Sequence, residues 1–149
     1  MTSKVRNLVK APLRERVSAE EWETRVNLAA CYRLAAHFRL TDLIYTHISA
    51  RVPGPEHHFL INAFGQLWDE ISASTLVKVT LEGEIVEDPA GYGINRAGYV
   101  IHSAVHRARS DVACVMHTHT VAGISVSAQE AGLLPISQHA MRFTGSIAY

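Results

Sequence analysis

Val112-Ala113-Cys114-Val115-Met116-His117-Thr118-His119-Thr120 decides how the chain is read. Residues 112–116 are all apolar, and Ser110-Asp111 precedes them as a turn signal. A short apolar run bounded in this way reads as a buried strand. It delivers two histidines, one residue apart, to its end. Side chains alternate along a strand, so positions two apart face the same way, about 6.6 Å from each other. His117 and His119 can therefore reach one common point, while Thr118 faces the other side. A metal ion is the commonest reason to build such a pair. The other reading has one imidazole bonded to backbone and its neighbour in solvent.

Working outward, the segment before this strand predicts a helix from residue 96 or 97 to 109. Its expected buried stripe is Ile101, Ala104, Val105 and Ala108. His102 and His106 are four apart and share one face. That pair either adds to a larger ligand set or forms a polar face. Pro89 to Asn95 is glycine-rich and reads as an exposed loop. Two short strands, over 76–81 and 84–87, form a hairpin around Glu82-Gly83. Further back, 44–52 and 58–63 form an antiparallel pair closed by the turn Pro53-Gly54-Pro55. Tyr45, His47, Ser49 and Arg51 share one face of the first of these strands. That face borders a cleft or is the solvent side of an edge strand. Asn62-Ala63-Phe64-Gly65 reads as a loop in which backbone approaches a ligand, because glycine permits conformations other residues resist.

The first long element is a helix over 19–38. Ser18 is its N-cap and Glu21 completes a capping box, with acidic residues placed near the positive helix end. Its expected apolar stripe is Trp22, Val26, Ala29, Ala30, Leu34 and Phe38. Residues 1–17 are basic, interrupted by Pro12, and read as a mobile N-terminal arm. After Thr120 the chain turns helical again, with a C-cap at Ala131-Gly132. Helices alternating with strands, and hairpins among the strands, predict an α/β domain over 18–149. Its architecture is three-layer α/β/α, with a central mixed, largely antiparallel sheet.

Composition narrows the function classes. The chain has 149 residues, enough for one domain with a core of its own. Lys and Arg number 14 against 14 Asp and Glu, so the formal net charge is zero. No basic footprint exists for nucleic acid or an anionic membrane surface. No apolar run suggests membrane insertion or a signal peptide. The two cysteines, Cys31 and Cys114, sit in apolar segments and read as buried free thiols, which places the chain in the cytoplasm. The nine histidines are the compositional outlier and direct attention to metal or acid–base chemistry.

From Arg96 through His102 and His106 to His117-Thr118-His119-Thr120, the chain resembles the class II aldolase/adducin family. Three upstream blocks agree: Ile48-Ser49-Ala50-Arg51, His58-Phe59-Leu60-Ile61-Asn62-Ala63-Phe64-Gly65, and Leu76-Val77-Lys78-Val79-Thr80-Leu81-Glu82-Gly83-Glu84-Ile85-Val86. The resemblance covers roughly residues 19–149. It implies a zinc-dependent, or otherwise divalent-metal-dependent, aldolase, epimerase or decarboxylase acting on a small hydroxy-carbonyl, sugar-like substrate. It also implies a homo-oligomer, usually a tetramer with active sites between subunits. His117 and His119 become two of three histidine ligands of the metal, which acts as a Lewis acid on carbonyl and enediolate oxygens.

The departures from the family pattern are as informative as the matches. The catalytic glutamate position is Gly98, which cannot move a proton. The paired phosphate-binding serines correspond to Arg96 and Ala97. A Gly-Asn-x-Ser segment appears as Thr46-His47-Ile48-Ser49, keeping Ser49 as a substrate contact. A Thr-Gly pair appears as Phe64-Gly65, keeping Gly65. The third zinc histidine, in a His-Gly context, is not reached before Tyr149, so the domain reads as C-terminally incomplete. These changes point to the adducin-like branch rather than to the sugar-phosphate aldolases. Three readings follow: a metal-dependent lyase in which His47 or His102 replaces the glutamate, a non-catalytic adducin-head-like binding or assembly module, or a structural metal protein.

Overall fold

The computed structural model describes residues 11–148. Most of the arm expected over 1–17 thus lies outside the described residues. Within the remainder, a short helix, α1 (Leu13–Arg16), buries Leu13 and pairs Arg16 with Glu87 at 2.6 Å.

The long helix α2 (Ala19–His37) starts where the sequence places it, because the Ser18 side chain accepts the Glu21 N–H. Two hairpins follow. In the first, β1 (His47–Arg51) pairs antiparallel with β2 (Phe59–Ile61). In the second, β3 (Val77–Val79) pairs antiparallel with β4 (Ile85–Glu87) across Gly83, whose φ of 95° suits glycine. Helix α3 (Arg96–Ala108) is capped by Asn95, which accepts the N–H groups of Ala97 and Gly98. Strand β5 (Cys114–His117) then adds to the far side of β1. The five-stranded sheet has the order β4-β3-β2-β1-β5, and the four pairings are antiparallel. Helices flank it in three layers, as the alternation of elements predicts. Helices α4 (Val121–Ser127) and α5 (Gln138–Met141) complete the described chain, and neither buries a residue.

One face of the sheet carries an apolar core. Ile48, Leu60 and Leu76 pack there with Leu28, Tyr32 and Ala35 of α2 and with Trp68. Tyr32 and Trp68 meet edge to face, with ring centres 5.0 Å apart. The Tyr32 hydroxyl accepts the N–H groups of Ile48 and Asn62 and so ties α2 to two strands. The opposite face carries a smaller apolar cluster of Phe59, Ile61, Ala63, Val77 and Val79, with Tyr99 of α3 laid against it.

Three packing expectations are corrected. Helix α2 buries Glu21, Arg25, Leu28, Ala29, Tyr32 and Ala35, and leaves Val26, Leu34 and Phe38 exposed. The buried charges explain the choice of face. Arg25 Nε donates to Glu21 at 2.9 Å, Lys78 Nζ to the same carboxylate at 2.8 Å, and Arg25 Nη1 to the Leu76 carbonyl. A partnered ion network can be buried where a lone charge cannot. Helix α3 is inverted in the same way. It buries Gly98, His102, Ser103 and His106, and exposes Ile101. The expectation that 112–120 is a buried strand also changes. Among the described residues β5 is an edge strand, with Cys114 and Met116 exposed. Cys31 and Cys114 are free thiols, but only partly buried and exposed respectively.

Candidate metal centre

The polar face of β1 lies under α3 and away from solvent. Tyr99 and Arg51 hold α3 there. The Tyr99 hydroxyl donates to the Leu81 carbonyl at 2.6 Å, and Arg51 Nη2 donates to the His106 carbonyl at 2.6 Å. Between these two anchors, His102 and His106 turn onto β1. Ser49 Oγ lies 2.6 Å from His102 Nδ1 and 2.8 Å from His106 Nε2. His102 Nε2 lies 3.3 Å from His47 Nδ1. All four side chains are nearly or fully buried.

The antiparallel register sets His47 opposite His117, with ring centres 5.0 Å apart. His117 Nε2 is 3.1 Å from His119 Nε2, so the two imidazoles do converge on one point. His119 lies just past the strand end, where its Nδ1 meets Asp42 Oδ2 at 2.9 Å. Asp42 therefore takes the His119 Nδ1–H and leaves Nε2 with its lone pair, the outer-shell arrangement typical of metal-binding histidines. His117 Nδ1 is buried without a hydrogen-bond partner.

The electrostatics favour the neutral form of His47, His102, His106 and His117. Burial, with His117 and His119 close by, pushes His47 down to about 4. Burial pushes His102 down to about 3, and neighbouring imidazoles add to it. His106 falls to about 4 through burial and then the Arg51 guanidinium. His117 is lowered by burial and by His119. Neutral imidazoles are the form that binds metal. Among the described residues, no three His, Cys, Asp or Glu side chains gather tightly enough to hold an ion. The two strand-end imidazoles and the carboxylate behind them fit part of a metal site.

The structure brings His117 and His119 together and adds His47 beside them. Ser49 sits between two α3 imidazoles. Gly65, with φ of 82°, borders a separate cleft of about 450 Å³ with Phe64, Gln66, Glu70 and Tyr92, and no imidazole lines that cleft. Asp42 carried no signal in the sequence, because its contact spans 77 residues. His102 and His106 carried one in their helical spacing, but their partner face was not legible.

Residues 26–149 match the family described as Class II Aldolase and Adducin N-terminal domain. The chain belongs to the class II aldolase and adducin family. A Pseudomonas aeruginosa protein named "Putative aldolase class 2 protein" is 58% identical over 139 residues, covering 93% of this chain and 53% of its own length. A protein of that description from Caulobacter vibrioides is 55% identical, covering 92% of this chain and 53% of its own. The crystal structure of an aldolase II superfamily protein from Pseudomonas syringae superposes with a TM-score of 0.92 at 67% identity, over 93% of this chain and 56% of that one. An L-fuculose 1-phosphate aldolase from Glaciozyma antarctica superposes with a TM-score of 0.80 at 30% identity, over 85% of this chain and 52% of that one. The chain spans about half the length of these relatives. The expected placement in the adducin-like branch is corrected. Mouse alpha-adducin is 51% identical, less than the bacterial aldolase-class proteins, and the match covers only 17% of its length. The changes at Gly98 and around Ser49 therefore do not mark the chain as an adducin. No helix among the described residues is long and apolar enough to cross a membrane.

Proposed function

We propose that this chain carries the divalent-metal site, for zinc or a similar ion, of a lyase-type centre acting on a small hydroxy-carbonyl, sugar-like substrate. The observation that carries the reading is the 3.1 Å approach of His117 Nε2 and His119 Nε2, with Asp42 behind His119. Family membership and the likeness to an L-fuculose 1-phosphate aldolase support it. When bound, the ion supplies Lewis acidity toward a carbonyl or enediolate oxygen.

The remaining work falls to the chain's own side chains. His117 and His119 hold the ion, and Asp42 fixes the His119 ring. Gly98 offers no group for proton transfer, so the nearest imidazoles, His47 and His102, frame the site instead. Gly65 is the proposed substrate contact, in the cleft that lies apart from the imidazoles. Gln66 Oε1 has no hydrogen-bond partner, and Glu70 adds a carboxylate to the same cleft; both suit hydroxyl donors. Ser49 holds His102 and His106 in place. The exposed apolar residues Val26, Leu34 and Phe38 of α2 support assembly into a homo-oligomer.

The test is bound zinc and retro-aldol cleavage in the full-length protein, compared with His117→Ala and His119→Ala. Loss of zinc and of cleavage in both variants is expected. Equal zinc in all three proteins would sink the ligand assignment. Intact zinc uptake without cleavage across a panel of hydroxy-carbonyl substrates would sink the lyase assignment.

A further inference from the structure

Gly98 is a glycine that the backbone does not require. It lies in the first turn of α3 and is not among the glycines with positive φ. Glycine inside a helix costs about 1 kcal/mol relative to alanine. Its reason is steric. A Cβ at position 98 would stand 2.5 Å from His47 Nε2, 2.6 Å from Cδ2 and 2.8 Å from Cε1. Those atoms belong to a ring that is 3% exposed and already held by His102, so it cannot easily retreat.

The contacts accommodate a relay from His47 to His106 that leaves His106 Nδ1 without a partner. His47 Nδ1–H donates to His102 Nε2, His102 Nδ1–H donates to Ser49 Oγ, and the Ser49 hydroxyl donates to His106 Nε2. Run this way, the network leaves His47 Nε2 with a free lone pair on the side of Gly98. Among the described residues, no hydrogen bond to that nitrogen is formed.

We propose that Gly98 and His47 are a matched pair: the absent side chain at 98 seats an imidazole that supplies a further nitrogen, His47 Nε2, to the metal held by His117 and His119. The proposal rests on the reading of His117 and His119 as ligands. Two imidazoles sharing a zinc at Zn–N distances of ~2.0 Å place their ring centres about 5 Å apart. The His47–His117 and His117–His119 centres are 5.0 and 4.7 Å apart. Without an ion the three rings are not gathered as a ligand set. His102, Ser49 and His106 would act as positioning residues for the His47 ring. An all-imidazole donor set selects zinc-like cations over magnesium or calcium.

The experiment is a Zn²⁺ titration of the full-length protein labelled with ¹⁵N-histidine, with no mutation. The expected result is a shift of His47 Nε2 together with the His117 and His119 signals. If His117 and His119 respond and His47 does not, the inference falls and the metal reading stands. If neither His117 nor His119 responds, the metal reading fails and takes the inference with it. In variants, His47→Asn is expected to weaken Zn²⁺ binding about tenfold or more, a loss of the size that follows disturbance around a metal's ligands. Gly98→Ala is expected to do the same by displacing the ring. The double variant is expected to lose no more than His47→Asn alone, because the two changes act on one contact. Unchanged affinity in both single variants overturns the proposal.

Discussion

The two faces of the sheet are built on opposite principles. On the α2 face, Tyr32, Trp68, Ile48 and Leu60 are nearly or fully buried, and their polar atoms are tied to backbone. On the α3 face, the same strand β1 presents His47 and Ser49 to two more imidazoles. Both faces exclude water, but only the second does so with a cluster of imidazoles. A single strand with period-two alternation thus serves a core with one side and a chemical site with the other. The difference teaches that burial here does not separate structure from function. What separates them is the kind of buried polar group: ion pairs and backbone-tied hydroxyl and indole groups on the first face, linked imidazoles on the second.

That comparison can be broken most forcefully on the apolar face. Trp68→Ala removes a fully buried ring and its bond to the Thr46 carbonyl. A loss of about 3–5 kcal/mol is expected, read from urea unfolding. A loss below about 1 kcal/mol would show that this face is not the core.

Ser49→Ala tests the other face. It strips the oxygen shared by His102 and His106 and leaves buried ring nitrogens unpartnered. A loss of about 1–3 kcal/mol is expected from the same measurement. A neutral outcome would mean that the imidazoles find other partners.

Acidification should discriminate the faces without mutation. His102 and His106 have folded values near 3 and 4, below the ordinary imidazole value of 6.5. In that interval the unfolded chain binds more protons than the folded one, so stability rises with pH. The contribution is fully present above about 6.5 and is lost as pH falls toward 4 and then 3. Thermal melts from pH 7 to pH 4 should show this decline. The His102→Phe/His106→Phe variant, if folded, should decline less. Equal slopes would place the acid sensitivity elsewhere.

The smallest effect is expected on the outer face of α2. Leu34 is 58% exposed, and Leu34→Glu should shift the unfolding free energy by no more than about 0.5 kcal/mol. Its larger signature should be a change in oligomeric state, measured by light scattering.

Sequence by itself determined whatever depends on near neighbours. The Ser18 cap, the Gly83 turn, the bounds of α2 and α3, and the hairpin pairings all come from interactions a few residues long. So does the same-side presentation of His117 and His119, which strand periodicity dictates. The tertiary structure decided which face of each helix is buried. Helix α2 offers an apolar stripe through Val26 and Leu34, yet the fold buries the stripe through Arg25 and Tyr32. The reason lies 51 and 16 residues away, at the Leu76 carbonyl and the Ile48 backbone. Helix α3 likewise turns His102 and His106 inward because Ser49 receives them. Periodicity ranks the faces of a helix by their own composition. It cannot see a distant hydroxyl, carbonyl or carboxylate that makes a polar face the cheaper one to bury. Asp42 behind His119 and His47 over Gly98 belong to the same class: contacts made by register and packing, with no mark in the local sequence.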